Sequence, residues 1–374
     1  MGSSPGLTRR ARLSLGAVLG FVGSVGCSAE HVVGSLGLGA AVHHQASTVA
    51  ALAVGDFDGD GHPDVVSQDR RGQIICLLRG QGDGSLLPAR CGPPIEPATA
   101  IAVLRPPSGP AMLLRAGAAL STWRASGDGV FGKIASTPLA ALVVPQGLTV
   151  EELDGDHRAD VLVSESGPDQ VEAMLSGPSG LMSAGVYSLS ATPRATLYRD
   201  LDGDDHPELA VLLPDTVTLW GARGQADWRG CGNRPLGLWP VRRGKDLQPA
   251  VMVFDASQGL LGIMLPVAGA NFSFTCGKVV GLPGVTANAA SSFALTTADL
   301  NGDGELELVL AAVEGSLRVF RADDRAVPLL AELNLGSAVS AIVAADLNHD
   351  DRPELIAVSE RGDDILVIPN LFSR

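Results

Sequence analysis

The sequence predicts an all-β fold, a seven-bladed β-propeller of four-stranded blades. Three observations carry that prediction. A nine-residue acidic pattern recurs five times, its copies fall on multiples of about 48 residues, and apolar runs of strand length flank each copy.

The first copy runs Asp56-Phe-Asp58-Gly-Asp60-Gly-His62-Pro-Asp64. Its carboxylates stand at positions 1, 3, 5 and 9, and position 7 can offer a backbone carbonyl. Hard oxygen donors gathered on one short loop suit Ca²⁺, and Gly at position 6 permits the sharp turn. The later copies place Glu152, Asp154, Asp156 and Asp160; Asp200, Asp202, Asp204 and Glu208; Asp299, Asn301, Asp303 and Glu307; and Asp346, Asn348, Asp350 and Glu354 at the same positions. His62, Arg158, His206, Glu305 and Arg352 hold position 7 and would contribute their carbonyls. Several carboxylates on nine residues repel one another unless a cation neutralises them, so up to five Ca²⁺ sites are expected.

Position 1 falls at residues 56, 152, 200, 299 and 346. Two of the four gaps are about double the others, so two further units lie hidden. The first is residues 101–104, a Pro-rich turn at 106–110, and residues 112–114; the second is residues 238–241, a polar stretch at 242–249, and residues 251–254. Both keep strand, turn and strand and lack the acidic pattern. Seven units then fill residues 46–374.

Within a unit, an apolar run precedes the loop (50–54, 294–298, 341–345) and a β-branched or Leu-rich run follows it (161–163, 209–213, 308–312, 355–358). A third run comes next (74–78, 217–220, 317–320, 365–368), and Gly-Asp-Gly turns stand at 82–84 and 127–129. Four strands per unit, seven times over, is the propeller arrangement. An EF-hand would need flanking helices and a bidentate Glu at position 12; here position 9 is the last acid and a strand begins at once. The seventh unit has room for three strands only. Residues 28–45 precede the first unit, and residues 38–44 are expected to close the ring as the outer strand of the last blade.

The pattern Asp-x-Asp-Gly-Asp-Gly-x-x-Asp between two strands, at this period, resembles the FG-GAP/VCBS repeat family. That family includes the propeller at the head of integrin α subunits and many bacterial secreted propellers. The resemblance is strong in five units and weak in two. It implies a seven-bladed propeller with Ca²⁺ in the loop between the first two strands of a blade. His157 and His349 depart from the family's Gly at positions 6 and 4.

Composition agrees with one large, turn-rich β domain: 46 Gly, 24 Pro and 45% hydrophobic residues, with only 4% aromatics, so the core must be Ala, Val and Leu. A formal charge of −14 argues against a nucleic-acid partner. Three of the loops hold four carboxylates at ligand positions and two hold three, so bound cations would offset most of that charge.

Residues 1–27 read as a signal peptide, with Arg9, Arg10 and Arg12 ahead of an apolar stretch at 13–25. Cys27 follows small residues, as in a bacterial lipoprotein box, although Ser24 stands where Leu is usual; cleavage by an ordinary signal peptidase is the competing reading. The chain is expected to be exported, to the periplasm, outer membrane or cell surface, and to meet a membrane only through a lipid on Cys27. Four other cysteines remain, an even number that fits two disulfides in an oxidising compartment. The proposed pairs are Cys76–Cys91, one hairpin apart, and Cys231–Cys276.

No nucleophile elbow, phosphate-binding loop, zinc cluster or His-x-x-x-His spacing is present in the sequence. Arg361-Gly362-Asp363 spells an adhesive tripeptide but sits where a hairpin turn is expected. Trp123, Trp220, Trp228 and Trp239 fit packing better than a carbohydrate platform. The expected function is therefore a monomeric binding or adhesion module with a protein or glycan partner, and not an enzyme. A propeller-based polysaccharide lyase or hydrolase, or a lectin, is the alternative.

Overall fold

The structure, a computed structural model, describes residues 37–372 apart from 47, 107, 140–142, 179, 203, 205, 222–223, 229–234, 244–247, 256–259, 267–273, 283–293, 313 and 322–326. The signal segment, Cys27 and Cys231 lie outside the described residues, and with Cys231 so does the pairing Cys231–Cys276.

Seven four-stranded antiparallel sheets form the blades of a β-propeller. After β1 (Val42–Gln45), blade one is β2 (Val49–Gly55), β3 (Asp64–Asp69), β4 (Ile75–Leu78) and β5 (Arg90–Cys91). Blade two is β6 (Ala98–Leu104), β7 (Met112–Gly117), β8 (Ala119–Ala125) and β9 (Phe131–Pro138). Blade three is β10 (Val144–Glu151), β11 (Asp160–Ser166), β12 (Gln170–Gly177) and β13 (Gly180–Ser188). Blade four is β14 (Ala195–Arg199), β15 (Glu208–Leu212), β16 (Val217–Gly221) and β17 (Gly224–Trp228). Blade five is β18 (Pro235–Arg243), β19 (Gln248–Asp255), β20 (Leu260–Pro266) and β21 (Phe274–Gly281). Blade six is β22 (Ala294–Ala298), β23 (Glu307–Ala311), β24 (Ser316–Arg321) and β25 (Leu329–Asn334). Blade seven is β26 (Val339–Ala345), β27 (Glu354–Ser359), β28 (Asp364–Ile368) and, as its outer strand, β1. The two units without acids occupy blades two and five.

The first strands of the blades ring the axis. β2 lies against β6, and the series runs on through β10, β14, β18, β22 and β26 back to β2. Second strands are fully buried: β3, β15, β23 and β27 show no exposed position. The core is the set of seams between blades. Phe57, Val66 and Leu77 of blade one pack with Leu113, Trp123 and Phe131 of blade two. Leu162 and Val171 of blade three meet Leu209 and Val211 of blade four. Each such side chain contributes about 1.5–3 kcal/mol by leaving water. Trp123 is part of this packing and donates its indole N–H to Ser121 Oγ at 2.8 Å. Trp220 stacks at a tilt on Tyr187 across the next seam but one, centroids 5.4 Å apart.

β1 pairs antiparallel with β28, Val42 opposite Val367 and Gln45 opposite Asp364. The strand starts later than residues 38–44; Leu38 instead makes an isolated bridge with Asn370. Pro369 and Gly39 explain the break, since a prolyl nitrogen cannot donate to a ladder, although its carbonyl accepts the Gly39 amide at 2.8 Å. Cys76 and Cys91 face each other across β4 and β5 and are joined by a disulfide. The tripeptide at Arg361 to Asp363 is the β27–β28 turn. Its Gly362 and Asp363 carbonyls accept the amides of Val49 and Ala46, so its backbone fastens the seam between the last and first blades.

Candidate metal centres

Every acidic loop joins the innermost strand of a blade to the next strand out, in blades one, three, four, six and seven. Position 9 opens the second strand. Its side chain, Asp64, Asp160, Glu208, Glu307 or Glu354, is at most 2% exposed. One carboxylate oxygen of each accepts the backbone amide of position 2: Phe57 at 2.9 Å, Leu153 at 2.9 Å, Leu201 at 2.8 Å, Leu300 at 2.9 Å and Leu347 at 2.8 Å. In blades one and three the other oxygen accepts an amide sixteen residues on, Gly80 at 2.9 Å and Ser176 at 2.7 Å. The acid thus pins its loop to the third strand as well as facing the loop's interior.

Burial pushes Asp64 up to about 6, and Glu208 and Glu307 up to about 7, against the opposing pull of the amides; neighbouring loop carboxylates add to the rise. Glu354 is raised for the same reason. A cation in the loop would restore the ionised form.

The remaining positions wrap the loop around its own carboxylates. In blades one and six position 1 accepts the amides of positions 4 and 6: Asp56 from Gly59 (2.7 Å) and Gly61 (3.0 Å), and Asp299 from Gly302 (2.7 Å) and Gly304 (2.9 Å). Position 5 accepts the amide of position 7 in all five: Asp60 from His62, Asp156 from Arg158, Asp204 from His206, Asp303 from Glu305 and Asp350 from Arg352, at 2.8–3.0 Å. This path needs left-handed backbone, which Gly61 (φ 91°) and Gly304 (φ 85°) adopt freely. His157 (φ 64°), His349 (φ 60°) and Asp351 (φ 64°) follow the same path at a cost of about 1 kcal/mol each, so the departures from Gly leave the loop shape intact.

The structure brings positions 1, 3 and 9 together. Oxygens of Asp56, Asp58 and Asp64 lie within 4.8 Å of one another, as do those of Glu152, Asp154 and Asp160, and of Asp200, Asp202 and Glu208. Asp60, Asp156 and Asp204 at position 5 stand outside these groups. In blades six and seven, position 3 is Asn, and its amide donates to the position-9 acid. A cation there would meet three carboxylates, not four. The convergent oxygens fit a hard divalent cation.

Sequence reasoning missed the supports. Arg79 Nε lies 3.4 Å from Asp58 Oδ2, a counter-charge at the rim of the first loop. It stands beside Gly80, the donor to Asp64, and nothing in the local pattern marks either residue. On the opposite face a cavity of about 510 Å³ opens between blades one, two and three, walled by Gln68, Asp69, Arg70, Arg71, Thr99 and Pro145.

Comparison with known proteins fits this geometry. Residues 282–357 match the family described as FG-GAP-like repeat, a stretch that holds the acidic loops at 299–307 and 346–354. The seven-bladed fold and that match are together consistent with an FG-GAP/VCBS propeller. No curated protein matches the chain. Among solved structures, the chain is similar in fold to BBS1N in complex with ARL6DN. The mercury-soaked crystal gives a TM-score of 0.65 at 16% identity, covering 91% of this chain and 98% of the other. The lead-soaked crystal gives 0.66 at 16% identity, covering 90% and 98%. At that identity the likeness is one of fold.

Proposed function

We propose that this FG-GAP propeller is a calcium-stabilised interaction module, a binder and not an enzyme. The observation that carries the reading is the repeated convergence of positions 1, 3 and 9 within 4.8 Å at the same place in three blades. A Ca²⁺ there would replace mutual repulsion with shared coordination and lock the loops between first and second strands. The similar BBS1N propeller was solved in complex with ARL6DN, which supports a protein partner here. We place the partner contact on the opposite face, at the cavity rimmed by Arg70 and Arg71, where a concave, largely apolar surface meets two cations. The N-terminal segment adds export, with Cys27 as a lipid anchor.

Calorimetric titration of the metal-free protein with CaCl₂, paired with thermal melts, tests the reading. Several equivalents should bind, up to five. Free Ca²⁺ at ~100 times its dissociation constant should stabilise the fold by about 2.7 kcal/mol per independent site. A melting temperature unmoved by chelator would overturn it. For the anchor, Cys27→Ser should release the protein from membranes; a wild-type protein that is already fully soluble would dispose of that part.

A further inference from the structure

We propose that His62 and His349 form a second kind of metal site, a two-histidine clasp for a borderline transition metal such as Zn²⁺, across the seam between blades one and seven. The residues are 287 apart in sequence, yet His62 Nδ1 lies 3.1 Å from His349 Nε2, with ring centroids 5.3 Å apart. Two imidazole nitrogens bound to one Zn²⁺ at about 2.0–2.1 Å in tetrahedral geometry stand roughly 3.3 Å apart. The pair is therefore already spaced for shared coordination. At that distance one ring must donate its N–H to the other. Moving that proton to the far nitrogen of its own ring, a change of tautomer with no net loss of charge, frees both facing lone pairs.

The His62 ring is backed by Gly82, and the backbone that carries His349 is fixed. The His62 amide donates to Asp60 at 2.8 Å, and its ring lies on Gly82, where any Cβ would overlap it. His349 sits between Asn348 and Asp350 on a left-handed turn fixed by the Asp350 amide, which donates to Asn348 at 3.0 Å. Imidazole nitrogen selects Zn²⁺, Cu²⁺ or Ni²⁺, whereas the carboxylate loops select Ca²⁺, so the two chemistries separate by ligand type. Water would complete the zinc shell on the exposed side. The clasp joins the first acidic loop to the last. On the opposite face the same seam is held by Val49 and Ala46 donating to the β27–β28 turn, so a metal here would add a tie at the other end, where Leu86 and Leu347 already pack.

The test is calorimetric titration of the full chain with ZnCl₂ in saturating CaCl₂, together with thermal melts. One zinc equivalent should disappear, with an affinity loss of at least about tenfold, in both His62→Gln and His349→Asn. The double variant should lose no more than either single one. The imidazole of His62 is not needed for the loop path, because position 7 acts through its backbone, and Asn tolerates the left-handed turn at 349. Zinc should raise the melting temperature of the wild type and of neither variant. Calcium stoichiometry should be the same in the wild type and in His349→Asn, a residue outside the calcium ligand set, which separates failure of this proposal from failure of the calcium reading. A zinc isotherm unchanged by both substitutions, or absent from the wild type, would overturn it.

Discussion

Asn301 donates its side-chain amide to Glu307 at 3.0 Å, and the relationship recurs in the next blade, where Asn348 donates to Glu354 at 3.0 Å. The amide does part of what a cation would do. It offers a donor to an otherwise repelled carboxylate, and it leaves the loop with one negative charge fewer.

Asn301→Asp should therefore increase dependence on calcium. Without metal, the substitution exchanges a hydrogen bond to a buried acid for repulsion, at a cost of about 1.5–3 kcal/mol. With Ca²⁺ the added carboxylate becomes a ligand, and much of the loss should be recovered. Denaturant unfolding in EDTA and in CaCl₂ would read both effects; equal losses in the two conditions would count against a cation at this loop.

The five loops were legible because their signal is local: nine residues carry ligands, turn glycines and the start of a strand together. The acid-free blades were legible through spacing, and β6, β7, β18 and β19 contain the runs at 101–104, 112–114, 238–241 and 251–254. Outer strands were not. β9 and β13 are mostly exposed and scatter apolar residues among small and polar ones without alternation, and β5 is two residues long. Nor could the sequence show that Asp64 is held by Gly80, or that His62 meets His349, since both contacts depend on how strands and blades close.

Asp64→Ala and Asp60→Ala should separate the structural acid from the solvent-side one. Asp64 accepts amides from Phe57, Asp58 and Gly80 in a buried site, so its removal takes the acceptor from three donors. The expected loss is about 2–4 kcal/mol with or without Ca²⁺. Asp60 is exposed, and its removal should cost within about 0.5 kcal/mol in EDTA. Chemical denaturation in EDTA gives the comparison, and similar losses for both variants would contradict the division of labour.

Calcium stabilisation should grow with pH. Asp64, Glu208 and Glu307 have folded-state values raised to about 6, 7 and 7 by burial. The metal-free fold then holds protons that the unfolded chain has released. Its contribution from these groups is fully present below the ordinary carboxylate range and is lost as pH rises through about 6 to 7. Calcium favours the ionised acids and competes with those protons. The melting shift between CaCl₂ and EDTA should be small near pH 5, increase through pH 6 to 7, and level off above. A shift constant from pH 5 to 7.5 would mean that these acids do not bind the cation.

Leu38 should matter more than its marginal place in the chain suggests. It is 4% exposed and packs in the cluster shared by blades six and seven, with Leu333, Ile342 and Leu366. Through its bridge to Asn370 it also anchors the segment that becomes β1, the outer strand of blade seven. Leu38→Ala should cost about 2–4 kcal/mol, as for other buried leucines. Deleting residues 37–45 should cost more, because it removes the anchor and also exposes the ladder edge of β28. The milder variant keeps the test readable if the deletion fails to fold. Equilibrium unfolding in urea would measure both, and a Leu38→Ala protein with the midpoint of the wild type would show that the first strand lies on the last blade without holding it.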